Sequence, residues 1–372
     1  MTSWGVTVAQ GNTYIHLKSE NPIHLDIEFS CNSGEIFVIV GPSGSGKTTI
    51  LRSISGLYTP NSGKIVCMGN NWFDSKEDIN VSVQTRAAGF VFQDYALFPH
   101  LSVRENISIP ISENDPSIRN ELIDEYIELV HLTGLGDRLP HQLSGGQQQR
   151  VAVARAIARK PDILLLDEPF SSVDQQTRRF LVRELIQLKH KLNIPIIHVT
   201  HDLNEARRIA DKLCIIHEGT GLQIDDPENV MTRPNSSRVA SLTGQDNIYH
   251  GKIIKHDSES QSSYIQWHDI TLICAYSPEF ELGEEIDWMV PSSQVIEIID
   301  PNNTNSDKNQ LSGKIIDMIQ LGEGTIISIG FEDNTDSLHM NYSTHHVKKH
   351  QIATGDNITV SLIPDGIHIM QY

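Results

Sequence analysis

Long apolar runs, cysteines and positive charge are all scarce in this chain, and each scarcity removes a class of function. No uninterrupted apolar stretch approaches the ~20 residues that span a bilayer as a helix. The opening MTSWGVTVAQ has no basic leader followed by an apolar segment. A soluble, cytoplasmic chain is therefore expected. The four cysteines, Cys31, Cys67, Cys214 and Cys274, show neither metal nor disulfide spacing and read as reduced, mostly buried thiols. Lysine and arginine total 29 against 47 aspartate and glutamate, a formal charge of −18, which argues against nucleic acid as a partner. Arg150, Arg155 and Arg159 do cluster on one helical run, but cations along a helix and near its C-terminus can serve neighbouring carboxylates instead. At 372 residues the chain has room for a nucleotide domain and a further module.

What the chain does have is GPSGSGKT at residues 41–48, directly behind the apolar run Ile36–Val40. Its three glycines let the backbone curl so that successive N–H groups point at an anion, and a helix N-terminus comes next. Lys47 adds a point charge for the β- and γ-phosphates, and the Thr48 hydroxyl can complete a Mg²⁺ shell. Gly41, Pro42, Ser43, Gly44, Ser45, Gly46, Lys47, Thr48 and Thr49 are thus the expected ATP-binding residues. A second unbroken apolar run, residues 163–166, has the texture of a central parallel strand and ends in Asp167 and Glu168. Carboxylates at that edge face the phosphate crevice, where Asp167 can join the Mg²⁺ shell and Glu168 can orient and deprotonate the attacking water.

Between these elements lies LSGGQ, residues 143–147, opening a helical run over residues 148–160. Ser144, Gly145, Gly146 and Gln147 therefore make a second anion-seeking helix end in one chain. With these motifs the sequence resembles an ATP-binding cassette (ABC) ATPase over most of residues 1–237. The resemblance implies an α/β P-loop NTPase fold, with a RecA-like core and a helical subdomain at about residues 94–159. It also implies that residues 144–147 of one subunit close on the γ-phosphate held by the Walker A cradle of another, so that the chain forms a homodimer with two composite sites. Gln93, after the strand-like residues 90–92, matches the glutamine that reaches Mg²⁺ and the attacking water. Asp174, closing SSVD, matches the loop that crosses the dimer interface, and His201 matches the histidine that contacts the γ-phosphate. The resemblance names two transmembrane permease subunits and an extracytoplasmic solute-binding protein as partners, with the chain peripheral on the inner face of the membrane. The stretch DYALFPHLSVREN from Asp94 brings Tyr95, Leu97, Phe98 and Leu101 close to Gln93. These groups either pack the helical insertion on the core or form a groove for a helix of a membrane partner. The helix carrying Leu122, Ile123, Tyr126, Ile127 and Val130 is expected to end at Gly134 and Gly136. An aromatic platform for adenine is not evident, the nearest ring being Tyr14.

Beyond about residue 237 the texture turns to short alternating β-type runs containing an internal repeat. GKII at residues 251–254 returns at 313–316, and GEEIDWMVP from Gly283 is echoed by GDNITVSLIP from Gly355. An all-β domain, residues 238–372, of two small OB-like barrels is expected, at about 245–299 and 309–372 and joined by a polar linker at 300–308. Such modules resemble the regulatory Mop/TOBE-like domains of import ATPases. SDKNQLSGKI at residues 306–315 resembles the opening of a molybdate-binding domain, with Ser306, Lys308 and Ser343 as the oxyanion ligands it implies, although Pro364 stands where a cationic lysine is expected and Asp365 next to it would repel an anion. The reading is an importer ATPase for molybdate or a related oxyanion. Sulfate, ferric iron or another solute is the alternative, and a non-transport cassette ATPase is the alternative of another class.

Overall fold

Residues 36–40, 163–166 and 196–199 are almost wholly apolar and largely β-branched or leucine, the composition of strands covered on both faces. In the computed structural model, which describes residues 12–21, 23–298, 309–331 and 334–372, they lie side by side in the parallel part of an eleven-stranded sheet. The strands Lys212–His217, Ile36–Val40, Ile196–Thr200, Ile163–Asp167 and Ala88–Val91 run parallel in that spatial order. An antiparallel wing, built around Leu25–Asn32, Asn12–Ser19 and Ser62–Cys67, continues the sheet. In the register of the parallel strands Val40 stands beside Thr200, Val199 beside Asp167 and Leu166 beside Val91. The cradle, the acidic pair, His201 and the Gln93 turn therefore all leave the sheet at its C-terminal edge, where open α/β sheets bind ligands.

The helix Lys47–Ser55 buries Ile50, Leu51 and Ile54 against this sheet, each such side chain contributing about 1.5–3 kcal/mol. Its C-terminus meets Arg86, a fully buried guanidinium. Arg86 donates to Ser53 O and Ile54 O at 2.8 Å, Val81 O at 2.9 Å, Asn80 Oδ1 at 3.0 Å and Trp72 O at 3.2 Å, so all five of its N–H groups are used. A cation at that end also suits the helix dipole.

The helices Val103–Ser108, Pro116–Leu129 and Gly145–Ile157 form the insertion and share their own core of Val103, Ile107, Ile123, Ile127, Val151 and Ala154. The second of them ends earlier than Gly134. His131 takes the left-handed conformation (φ 55°) and Leu132 folds back into the core, so a buried leucine rather than a glycine decides the stop. Both readings of the aromatic stretch have support: Tyr95 is buried, whereas Phe98 is 42% exposed with the Arg155 guanidinium 5.5 Å from its ring centre. The arginine cluster is local, as anticipated. Arg155 donates to Tyr95 O and Ala96 O, Arg159 to Gln84 O, and Arg150 pairs with Glu184 at 3.0 Å.

The chain divides into two compact units, Met1–Pro227 and Glu228–Tyr372, a division earlier than the change of sequence texture. Two short helices, Pro227–Thr232 and Ser237–Leu242, account for the difference: Ala240 packs with Met289 and Met370, and His368 bonds Pro234 O at 2.7 Å, all within the second unit. That unit holds two five-stranded sheets. The repeat is real in three dimensions. Ile253 and Ile315 each begin a register shift in the strands Ile248–Asp257 and Gln310–Leu321. Each also exchanges backbone bonds with the repeated Gly-acidic turn, Gly283–Glu284 or Gly355–Asp356. A Cβ on Gly251 would stand 2.9 Å from Ile265 Cγ2, and one on Gly313 2.6 Å from Ile329 Cγ2, so both repeats need glycine for the same close approach. The expected pair of independent units differs from the structure in one respect. The strand Val295–Glu297, which comes after the first repeat, pairs with Asn357–Leu362 of the second, and His368–Gln371, which comes after the second, pairs with Glu285–Met289 of the first. The repeats thus exchange their last strands and share one core around Trp267, Trp288, Ile327 and Leu338. Ser343 caps the helix Thr344–His350, and Ser306 and Lys308 lie outside the described residues.

Candidate active site

The turn after Ile36–Val40 is closed from behind by backbone. A Cβ at Gly41 would lie 2.2 Å from Ile216 O, and Gly44 (φ 83°) and Gly46 (φ 93°) hold the curl that points the succeeding N–H groups inward. Gly219 N–H ties the turn to Ser45 O at 3.1 Å. Lys47 folds over this loop, its Nζ donating to Gly41 O at 2.8 Å and Pro42 O at 2.9 Å and standing 3.8 Å from Glu168 Oε1. Burial lowers the Lys47 pKa, with Glu168 and Asp167 opposing. Ser45 is buried with its hydroxyl unpartnered. Such an orphan is costly unless a ligand oxygen meets it. A turn that admits no Cβ at Gly41, a buried cation donating to two carbonyls beside Glu168 and an orphan hydroxyl together fit a phosphate chain.

On the adjacent strand Asp167 accepts Thr48 Oγ1–H at 2.9 Å, and burial raises its pKa against that bond. Glu168 comes next in the left-handed region (φ 43°), a strained conformation for a side-chain residue, with its N–H held by Val199 O at 3.0 Å. The strain turns Glu168 away from the strand's alternation, and its Oε2 meets His201 Nδ1 at 2.9 Å. Cation, hydroxyl, two carboxylates and an imidazole from three neighbouring strand ends are therefore joined by contacts of 2.9 to 3.8 Å.

Residues 25–171 match the family model described as ABC transporter. The chain is 32% identical over 349 residues to the sulfate/thiosulfate import ATP-binding protein CysA of Nitrosomonas europaea, covering 90% of each chain. It is 35% identical over 355 residues to the spermidine/putrescine import ATP-binding protein PotA of Clostridium acetobutylicum, covering 95% of this chain and 93% of that one. The chain belongs to the ABC transporter family. A solved dimeric structure of MJ0796, a bacterial ABC transporter cassette, is similar with a TM-score of 0.50 and 29% identity, over 58% of this chain and 98% of that one. This ABC protein is accordingly an importer-type ATPase that binds ATP and couples its hydrolysis to transport. Among the described residues no helix is long and apolar enough to cross a membrane.

The other sequence-selected residues occupy separate places in the ABC unit. Ser144 is exposed and caps the helix Gly145–Ile157 by a reciprocal pair with Gln147, at 3.3 and 2.9 Å. Gly145 and Gly146 pack on Val173 and Thr177, and a Cβ on Gly146 would reach 2.7 Å from Thr177 Cγ2. Asp174 caps the helix Gln175–Leu192 through bonds from Gln176 and Thr177 N–H. Gln93 lies in the turn after Ala88–Val91. Among the described residues no hydrogen bond or ion pair joins Ser144–Gln147 to the cradle. Tyr14 is buried and donates to Glu28 at 2.8 Å, so it offers adenine no face. The exposed His24 is nearby, its carbonyl lying against Gly46 and Gly219 and its ring Nε2 3.2 Å from Thr220 Oγ1. The supporting hairpin at Ile216 and Gly219 was missed in the sequence. Its only signal was the glycine pair in HEGTG.

Proposed function

We propose that this chain is the ATP-hydrolysing subunit of an importer for a tetrahedral oxyanion, of the sulfate class, working as a homodimer of cassettes on two permease subunits fed by an extracytoplasmic binding protein. The contact of Glu168 with both Lys47 and His201 carries the reading, because it sets a base and two cationic or polarising groups around one phosphate position. Lys47, Ser45 and the N–H groups of residues 41–49 hold the phosphates of ATP. Glu168 orients the attacking water and accepts its proton, and His201 both fixes the carboxylate and reaches the γ-phosphate. Thr48, Asp167 and Gln93 have the oxygen donors a Mg²⁺ ion takes, and when bound that ion neutralises charge developing on the phosphate oxygens. The raised Asp167 supports this, since a buried carboxylate beside Glu168 is stabilised as an anion by a cation between them. Ser144, Gly145, Gly146 and Gln147, unconnected to the cradle in the hydrogen-bond network, complete the site of the partner copy, with Asp174 at the seam. Gln93, a few residues before the exposed Phe98, reports nucleotide state to the permease. His24 borders the adenine.

The second unit acts as a regulatory Mop/TOBE-like module whose two repeats form OB-like barrels. Sulfate is favoured over molybdate because relatives matching most of the chain are sulfate/thiosulfate importers. Polyamine is the second reading, on the similarity to spermidine/putrescine importers. Glu168→Gln tests the ATPase assignment: ATP binding stays at the parent level while turnover falls about 10²–10⁴-fold. Hydrolysis at the parent rate removes Glu168 as the base. Restoration of sulfate uptake, against spermidine uptake, in cells lacking the corresponding ATPase decides the cargo.

A further inference from the structure

Between the helices Gln175–Leu192 and Leu203–Ile209 lies a cleft of about 300 Å³ that the hydrolytic site does not use. Three guanidinium groups line it, those of Arg178, Arg179 and Arg208, together with the carboxylates of Asp202 and Glu205. Both carboxylates already have partners. Asp202 Oδ1 caps the second helix, accepting from Asn204 and Glu205 N–H at 2.9 and 3.1 Å, and its Oδ2 takes Arg178 Nη1 at 2.8 Å. Glu205 is buried against His198 Nε2 at 2.5 Å. Arg179 and Arg208 are exposed and have no ion pair among the described residues, and Arg178 Nε is a buried donor without a partner. In a chain of formal charge −18 this is a local surplus of fork-shaped cations with no free anion.

Guanidinium forks recognise tetrahedral dianions bidentately, which lysines cannot do. The location adds a consequence. Asp202 directly follows His201, so a dianion that draws Arg178 away from Asp202 Oδ2 breaks the bond tying the turn that carries His201 to the helix Gln175–Leu192. We propose that this cleft binds a tetrahedral oxyanion and that its occupancy slows ATP turnover through Asp202 and His201. Two sources supply the same chemistry: hydrolysis itself releases inorganic phosphate, and sulfate is the proposed cargo. Only the sulfate arm rests on the function proposed above.

The test measures ATPase rate against inorganic phosphate and, separately, sulfate, at ionic strength held constant with chloride. Calorimetry of the protein saturated with Mg-ADP, which fills the cradle, measures binding of the same two ions. Inhibition by either ion is expected to lower kcat and leave KM for ATP unchanged. The exposed double variant Arg179→Gln/Arg208→Gln keeps the basal rate, loses the inhibition and binds the ion at least about tenfold more weakly. Response to phosphate alone identifies a product sensor; response to sulfate, alone or as well, identifies a cargo sensor. Purely competitive inhibition, equal affinity in parent and double variant, or no binding of either ion overturns the proposal.

Discussion

Replacing Arg86, which is 1% exposed, with methionine removes five donors at once. Two of the acceptors keep another partner: Ser53 O is also bonded by Gly56 N–H at 3.2 Å, and Trp72 O by Val81 N–H at 2.8 Å. Ile54 O, Val81 O and Asn80 Oδ1 receive Arg86 and are exposed to the loss. Losing the charged donor at one buried acceptor and two partly buried ones costs about 3–6 kcal/mol, taking 1–2 for each. Apolar packing of the methionine, and relief of a buried cation whose charge is unfavourable there, return about 1–2 kcal/mol. The net loss is about 2–4 kcal/mol. For a cooperative unit of this size each kcal/mol lowers Tm by about 2–4 °C, so Arg86→Met is expected to melt about 4–16 °C below the parent. Calorimetry without nucleotide measures it. Arg86→Lys keeps the charge but not the five-donor fork and gives little rescue. A Tm within about 2 °C of the parent for Arg86→Met refutes the claim that this guanidinium clamps the cradle helix to Trp72, Asn80 and Val81.

The same geometry sets three further outcomes. Asp167 has a folded pKa raised by burial above its unfolded value, so its ionised form opposes folding at neutral pH and the penalty is relieved as pH falls through the raised folded value. Asp167→Asn, which can still accept from Thr48, is therefore expected to raise the Tm of the nucleotide-free protein at pH 7 while abolishing Mg²⁺-dependent hydrolysis; a lowered Tm contradicts the sign. Gly41→Ala drives a Cβ to 2.2 Å from Ile216 O, and fluorescence titration should find ATP binding lost by at least about tenfold. Gly313→Ala, at 2.6 Å from Ile329 Cγ2, should destabilise the second unit by about 1–3 kcal/mol in chemical denaturation and spare ATP binding by the first.

The parts of the site that were legible in the sequence are those whose chemistry is local. Glycines at residues 41, 44 and 46, Lys47, the acidic pair after an apolar run and the serine opening LSGGQ each carry their geometry within a few residues, and the structure places the cradle, Asp167, Glu168 and His201 together. The backing of the cradle was not legible because it is made by backbone groups, Ile216 O and Gly219 N–H, which almost any residue type carries. Arg86 was overlooked for the same reason, since four of its five acceptors are backbone. The repeat announced two β units through Gly251 and Gly313. Their exchange of last strands was hidden because Val295–Glu297 is only three residues long and alternation does not say which sheet a strand joins. The stop at His131 was hidden because a tertiary contact, the burial of Leu132, overrode the glycine rule.

The most direct test is a structure of Glu168→Gln with ATP and Mg²⁺. Two copies arranged head to tail are expected, with Ser144 Oγ of one copy within hydrogen-bonding distance of the γ-phosphate oxygens held by Lys47 of the other. A closed ATP-bound state in which Ser144 touches only water, or in which one copy alone encloses the nucleotide, contradicts the account.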